Sequence, residues 1–194
     1  MRRILLADIA GINATDLIFN ESDHGKPRLV GADFEFNTSH TQDVGVIVTG
    51  DVPLGVDIEA VDRPMDYLQF AQRTFTKEEF LDINKERDDD LRLAFFNCWT
   101  GKESYIKALG LGLHKNLRSF SVQCTPGAVP GLRWDREIDG DLSSWRFERV
   151  STDNYVATIV AKSTVAQSSV GKADVRIQTL STESLRAGVP ISVE

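Results

Sequence analysis

Cysteine is scarce in this chain, and its scarcity excludes two classes of protein. Only Cys98 and Cys124 occur among 194 residues. Neither has a Cys or His at metal-site spacing, and two thiols cannot make the disulfide framework of a small secreted domain. Both lie in apolar stretches, which predicts buried thiols in a reducing compartment. Positive charge is also short, since 22 Lys and Arg face 29 Asp and Glu for a formal net charge of -7. A duplex-DNA or anionic-membrane binder needs a broad basic footprint, and this balance argues against one; an anionic ligand has to be held by a local cluster of cations. Long hydrophobic runs are missing too. In MRRILLADIAGIN, Asp8 interrupts the apolar residues well short of a signal-peptide core or a membrane span. The expectation is a soluble, cytoplasmic protein with neither nucleic acid nor membrane as partner. What is present, 41% hydrophobic and 26% charged residues, suits one substantial domain or two small lobes sharing a core.

Periodicity divides the chain into short elements. Residues 2 to about 11 read as the later part of an amphipathic helix, and ATDLIF, after the cap-like Asn13, as a second helical piece. GKPRL is a turn into extended chain, because proline fixes its own φ and biases Lys26 away from helix. FEFNTSH alternates towards His40, VGVIVTG reads as a buried strand, and LGVDIEAVDR as a short strand entering a charged loop. Helical material from 66 to 80 breaks near FTKEEF, and a long helix from about 91 to 109 stops at Gly110 and Gly112. SFSVQC, SWRFERV and NYVATIVA predict antiparallel strands joined by turn-rich segments such as TPGAVPG and DGD. Residues 163–194, poor in aromatics, read as a loosely attached tail of unknown role.

One residue breaks the pattern of the long helix. Leu91, Phe95 and Trp99 form an apolar row at four-residue spacing, and the next member is Glu103. A carboxylate there needs a partner, whether a cation, a hydrogen-bond network or a metal. Lys107, one turn on, supplies the simplest one as an i,i+4 ion pair. Asp57 and Glu59 offer a different answer. Strand periodicity points both to one face while Val56 and Ile58 enter the core, so the pair is either a solvated strand face or half of a hard-metal site. Converging with Glu103, they would give Mg²⁺ the oxygen ligands it favours, and Mn²⁺ accepts the same octahedral set. Lys26, His40, Lys102 and Lys107 are the cations available to a phosphate-bearing ligand; taken singly, Lys102 reads as a solvated helix residue and His40 as a satisfied, partly buried side chain. Trp99 and Tyr105 read as core or interface aromatics.

Five ordered motifs carry a family resemblance: G-K-P (25–27), F-N-T-S-H (36–40), G-V-D-I-E (55–59), R-x-F-T-K-E-E (73–79) and W-x-x-K-E-S-x-x-K-x-x-G-x-G (99–112). Together they resemble the larger, Sfp-type class of 4′-phosphopantetheinyl transferases, over residues 2–161. The resemblance implies an α+β fold of two lobes related by a pseudo-twofold axis, each a small antiparallel sheet packed on helix. The lobes would be residues 1–54 and 55–162. It also implies an activity: transfer of the phosphopantetheine arm of coenzyme A to a serine of an apo acyl- or peptidyl-carrier protein, by a monomer, with release of 3′,5′-ADP. Carried over by position, Asp57, Glu59 and Glu103 match the Mg²⁺ ligands, with Glu103 also activating the serine. Lys107 matches the diphosphate contact, Lys26 an adenosine-side contact, and Ser39 and His40 the contacts to adenine and the 3′-phosphate. Arg3 matches a further phosphate contact, and Glu79 an acidic position of less defined role. Members of this class carry roughly forty residues ahead of the helix at which this chain opens, so the first lobe is expected to be incomplete; that length is set against ordinary domain sizes. Two other functions fit the same residues: a non-catalytic carrier- or coenzyme-binding relative, and a Mg²⁺-dependent phosphohydrolase.

Overall fold

The structure, a computed structural model, describes residues 2–42, 44–112, 115–138, 140–163 and 178–181. In chain order the elements are α1 (Arg2–Ala10), β1 (Phe19–Glu21), β2 (Pro27–Leu29), β3 (Glu35–Thr41), β4 (Val44–Gly50), β5 (Leu54–Ala60), α2 (Tyr67–Thr74), α3 (Lys77–Lys85) and α4 (Asp88–Leu109). There follow β6 (Phe120–Val122), β7 (Leu132–Asp135), a 3₁₀ turn (Leu142–Ser144), β8 (Trp145–Ser151), β9 (Tyr155–Lys162) and β10 (Gln178–Ser181). The class is α+β, and every strand pairing among the described residues is antiparallel.

Two three-stranded sheets organise the chain, one ordered β10-β4-β3 and the other β5-β9-β8. Their alternation sets the layers. On β4, Ile47 faces a core with Leu6, Ala7, Leu17, Leu29 and Phe36, whereas Val46 and Val48 face the opposite way, onto Leu54, Val56, Ile58, Ile159 and Ala161. The other face of β9 gives Val156 and Val160 to a third cluster, built on Phe95, Phe96, Tyr105 and Ile106 of α4. Val56 and Ile58 therefore turn away from α4, and the period of two directs Gly55, Asp57 and Glu59 towards it. Gly55 lets the two elements meet: a Cβ built on it would lie 2.2 Å from the carbonyl oxygen of Ser104 and 2.5 Å from the nitrogen of Ala108. Farther along β9, the buried hydroxyls of Thr100 and Thr158 meet at 2.7 Å, and Ser104 Oγ donates to the Thr158 carbonyl at 2.6 Å.

Helix boundaries follow local chemistry. Thr76 accepts from the backbone N–H of Glu79 while Glu79 accepts from the backbone N–H of Thr76, a capping box that starts α3. Gly110, at φ 69°, ends α4 in the left-handed conformation. ATDLIF is not a helix. Its Asp16 N–H closes a turn on the Asn13 carbonyl, and the Asn13 side chain binds the Asp16 carboxylate, so the local bonds of Asn and Asp win over six residues too short to nucleate a helix. Within the expected tail, β10 pairs with β4 from Gln178↔Ile47 to Ser181↔Val44; the rest of that tail after Ser163 lies outside the described residues.

Lys102 is the clearest correction to the sequence reading. It is not a solvated helix residue but fully buried, and its ammonium stands 2.8 Å from the equally buried Glu79. The Leu117 and Phe120 carbonyls each accept from it at 2.7 Å, and it lies 4.2 Å above the Phe120 ring. Glu79 also accepts from the Val122 N–H at 2.8 Å, tying α3 to β6. Glu79 is thus a structural anchor. Lys102→Met should destabilise the fold by about 3–5 kcal/mol, because it strands a buried carboxylate. Adding Glu79→Leu should recover only part of that loss, since the Thr76 cap and the Val122 bond go with the carboxylate; urea unfolding of both variants checks this.

Candidate active site: the seam between β3, β5 and α4

The edges of the two sheets meet along β3 and β5 without a backbone ladder. Side chains replace it. Asn37 Oδ1 accepts from the Val56 N–H at 2.9 Å, Ser39 Oγ from the Ile58 N–H at 3.2 Å, and Thr41 Oγ1 from the Ala60 N–H at 3.3 Å. Alternate residues of one strand thereby serve alternate amides of the other. Sequence reasoning missed this arrangement, although N-x-S-x-T alternation in FNTSHT was its signal.

Asp57 stands at the middle of the seam. Its Oδ1 accepts from Ser39 Oγ at 2.9 Å and from Lys107 Nζ at 2.7 Å. Lys107 also donates to the Val56 carbonyl at 3.0 Å and to Ser39 Oγ at 3.3 Å, so it bonds across to β5 and β3. The simple ion pair with Glu103 is not what it forms. Trp99 has a second duty unseen in the sequence: its indole N–H donates to Glu59 Oε1 at 3.2 Å while its ring packs on Phe70 and Phe75. Glu59, Trp99, Arg63, Met65, Phe70 and the adjoining phenylalanines line an aromatic cavity of about 300 Å³ beside the carboxylates.

The three carboxylates share one electrostatic neighbourhood. Burial raises the pKa of Asp57, opposed by Lys107 and Ser39. Glu59 is raised by burial and then by Asp57, and Glu103 by burial, then by Asp57, with Lys107 opposing and Glu59 adding to the shift. Three negative charges against the ammonium of Lys107 leave room for a divalent cation. Two observations match that: the buried Oδ2 of Asp57 has no hydrogen-bond partner, and every available donor is a carboxylate oxygen, which suits a hard cation. The side chains as they stand are not a closed cage, for among the described residues no three His, Cys, Asp or Glu form a ready group for a metal.

The other expected contacts lie around the seam at varied distance. Lys26 Nζ donates to the Leu54 carbonyl at 2.9 Å and stands 3.5 Å from Glu35; burial lowers its pKa, with Glu35 opposing. His40 is exposed, next to Ser39 on β3, rather than partly buried. Arg3, exposed on α1, donates to the Ala14 and Leu17 carbonyls at 3.0 and 2.8 Å. Tyr105 is fully buried, as are the free thiols Cys98 and Cys124. Among the described residues no helix is long and apolar enough to cross a membrane.

The sequence model of the 4′-phosphopantetheinyl transferase superfamily matches residues 53–160, which span β5 to β9 and hold all three carboxylates and Lys107. The chain belongs to this superfamily. An L-aminoadipate-semialdehyde dehydrogenase-phosphopantetheinyl transferase of Xenopus laevis is 30% identical over 178 residues, 83% of this chain and 59% of that protein. The 4′-phosphopantetheinyl transferase Sfp of Bacillus subtilis strain 168 is 34% identical over 113 residues, 58% of this chain and 50% of that protein. This transferase-family chain therefore spans about half the length of the curated relatives it matches. Among solved structures, a holo-(acyl-carrier-protein) synthase from Bacillus anthracis strain Ames in complex with CoA (3′,5′-ADP) superposes with a TM-score of 0.43 at 21% identity, over 58% of this chain and 97% of that one.

Proposed function

We propose that the chain transfers the 4′-phosphopantetheine moiety of coenzyme A to a serine of an apo acyl- or peptidyl-carrier protein, with Mg²⁺, releasing 3′,5′-ADP. The observation that carries this reading is Asp57, set in the seam beside Lys107 with one oxygen buried and unpartnered, and with Glu59 and Glu103 raising the charge around it. Asp57, Glu59 and Glu103 hold the cation, Mg²⁺ or Mn²⁺. When bound, the cation neutralises charge on the diphosphate. Lys107 is assigned to the diphosphate and the leaving 3′,5′-ADP; engaging them exchanges one of its three present acceptors for a phosphate oxygen. Glu103 takes the serine proton, directly or through a water. The serine oxygen forms a bond to the phosphorus bearing the pantetheine arm, and the bond from that phosphorus to 3′,5′-ADP breaks. Lys26, Ser39 and His40 fall to the coenzyme, with Arg3 at the periphery. The reading includes lobes at 1–54 and 55–162 and a cytoplasmic monomer.

The test is intact mass of several apo carriers after incubation with the protein, coenzyme A and Mg²⁺. One phosphopantetheine arm should appear on the carrier serine, and chelation should abolish the gain. Carrier bound without gain would favour a non-catalytic binder. Release of 3′,5′-ADP without any carrier would favour a phosphohydrolase.

A further inference from the structure

A second cavity, of about 480 Å³, opens between the start of α3 and the end of β7 and is lined by Lys77, Glu78, Leu81, Arg118, Trp134 and Arg136. None of the residues assigned to cation or coenzyme borders it. Lys77, Arg118 and Arg136 are exposed, and among the described residues none of the three forms an ion pair. That is unusual in a chain of net charge -7, where Lys102, Lys107, Lys115 and Arg133 all meet carboxylates. The groove's own carboxylate, Glu78, is engaged elsewhere: its Oε1 accepts from the indole N–H of Trp134. Arg136 lies 4.7 Å over the same ring, so the indole is held from its edge and from one face. Leu81, 44% exposed, adds apolar surface beside it.

We propose that this groove docks an acidic segment of a partner polypeptide, with carboxylates on Lys77, Arg118 and Arg136 and an apolar side chain on Trp134 and Leu81. Charge complementarity carries the choice of partner. Three cations against one carboxylate make the groove locally positive, and a guanidinium binds a carboxylate with two parallel N–H donors. A nucleic-acid backbone would meet the groove too, but its further phosphates would run over an acidic surface that repels them. A free phosphate would leave the indole and Leu81 without a role. An acidic peptide with one apolar residue uses both halves, and Trp and Arg are the residue types that carry most binding energy at interfaces. The groove also has a packed link to the seam: Thr76 lines it, and the preceding Phe75 packs on Trp99, which donates to Glu59. The proposal does not depend on the transferase reading.

The experiment is fluorescence anisotropy at low salt, in chelator, with the full chain and a short labelled peptide of glutamates around one leucine. The wild type should bind it, and added salt should weaken the binding. Arg118→Glu and Arg136→Glu should each lower affinity about tenfold or more, as expected for reversing a charge that meets the ligand. Arg146→Glu makes the same change in net charge at an exposed position outside the groove, and should stay within about twofold of the wild type. Replacing the leucine of the peptide by serine should weaken binding about fivefold or more, the scale of one lost apolar contact. Should Arg136→Glu unfold at lower temperature for want of its ring contact, Arg118→Glu, which touches no ring, carries the test. The proposal is overturned if the wild type does not bind the peptide at low salt, if Arg146→Glu weakens binding as much as the groove variants do, or if the serine peptide binds as well as the leucine one. It is overturned equally if inorganic phosphate or a single-stranded oligonucleotide, at matched charge, displaces the peptide as well as unlabelled peptide does.

Discussion

Glu103→Gln should lower carrier phosphopantetheinylation about 10²–10³-fold, the usual scale for losing one preorganised electrostatic group. The same change should make the chelated protein more stable. Burial first and Asp57 second raise the pKa of Glu103 in the folded chain. For a carboxylate raised above its unfolded value, folding is favoured while the group is protonated, and the advantage is lost as pH rises through the folded pKa. At neutral pH the charged carboxylate therefore works against the fold when no cation is bound, and the neutral amide removes that penalty. The expected gain in melting temperature is about 2–4 °C, the shift that roughly 1 kcal/mol produces in a chain of this size. It should shrink below about pH 4, where Glu103 is protonated in both states. Mg²⁺ should raise the melting temperature of the wild type more than that of Glu103→Gln. A variant that loses activity and stability together would make Glu103 a structural residue.

Gly55→Ala is expected to be the most damaging glycine-to-alanine change among the described residues. The methyl would fall on the carbonyl oxygen of Ser104 and the nitrogen of Ala108, which are backbone atoms and cannot turn aside. Either β5 or α4 must shift, and both carry site residues. Overpacking of this kind costs about 3 kcal/mol or more, equivalent to a fall of about 6–12 °C in melting temperature. Mn²⁺ binding should suffer in any fraction that still folds, because Asp57 and Lys107 face each other across that contact. Glycine at the exposed turn Gly127 makes a fair control, since no atom lies within 4 Å of its would-be Cβ, although its φ of 75° carries its own strain. Thermal unfolding of the two variants side by side would separate backbone collision from loss of glycine freedom.

How much of this could be read from sequence depended on whether the signal was local. The run Val44–Gly50 is a short, β-branched apolar stretch and Leu54–Ala60 alternates apolar residues with Gly, Asp and Glu, and the structure forms β4 and β5 there. Glu103 was legible as a conflict, a carboxylate in a row of leucine and aromatics, and conflicts of that sort gather at functional sites. Lys102, its immediate neighbour, was misread because its partner Glu79 lies on another helix and only packing brings the two together. The same holds for Trp99, whose ring satisfied the core pattern and hid the indole N–H reaching Glu59. β7 escaped notice because its four residues follow a turn-rich stretch and none is fully buried, so no pattern of hydrophobicity marks them. ATDLIF failed in the opposite direction, as a local helix signal that local side-chain bonds overrode. The family motifs named Ser39, but a motif does not count hydrogen bonds, and those that its hydroxyl makes to Asp57, Ile58 and Lys107 appear only in the folded chain.

The central claim is that Asp57, Glu59 and Glu103 share one divalent cation. Anomalous diffraction from crystals grown with Mn²⁺ tests it most directly. A single strong peak is expected within about 2.0–2.2 Å of an oxygen from each of the three carboxylates, with Lys107 close by, on the scale of octahedral oxygen coordination. A peak held by other residues, or occupied crystals in which fewer than two of the three carboxylates touch the ion, would contradict the claim.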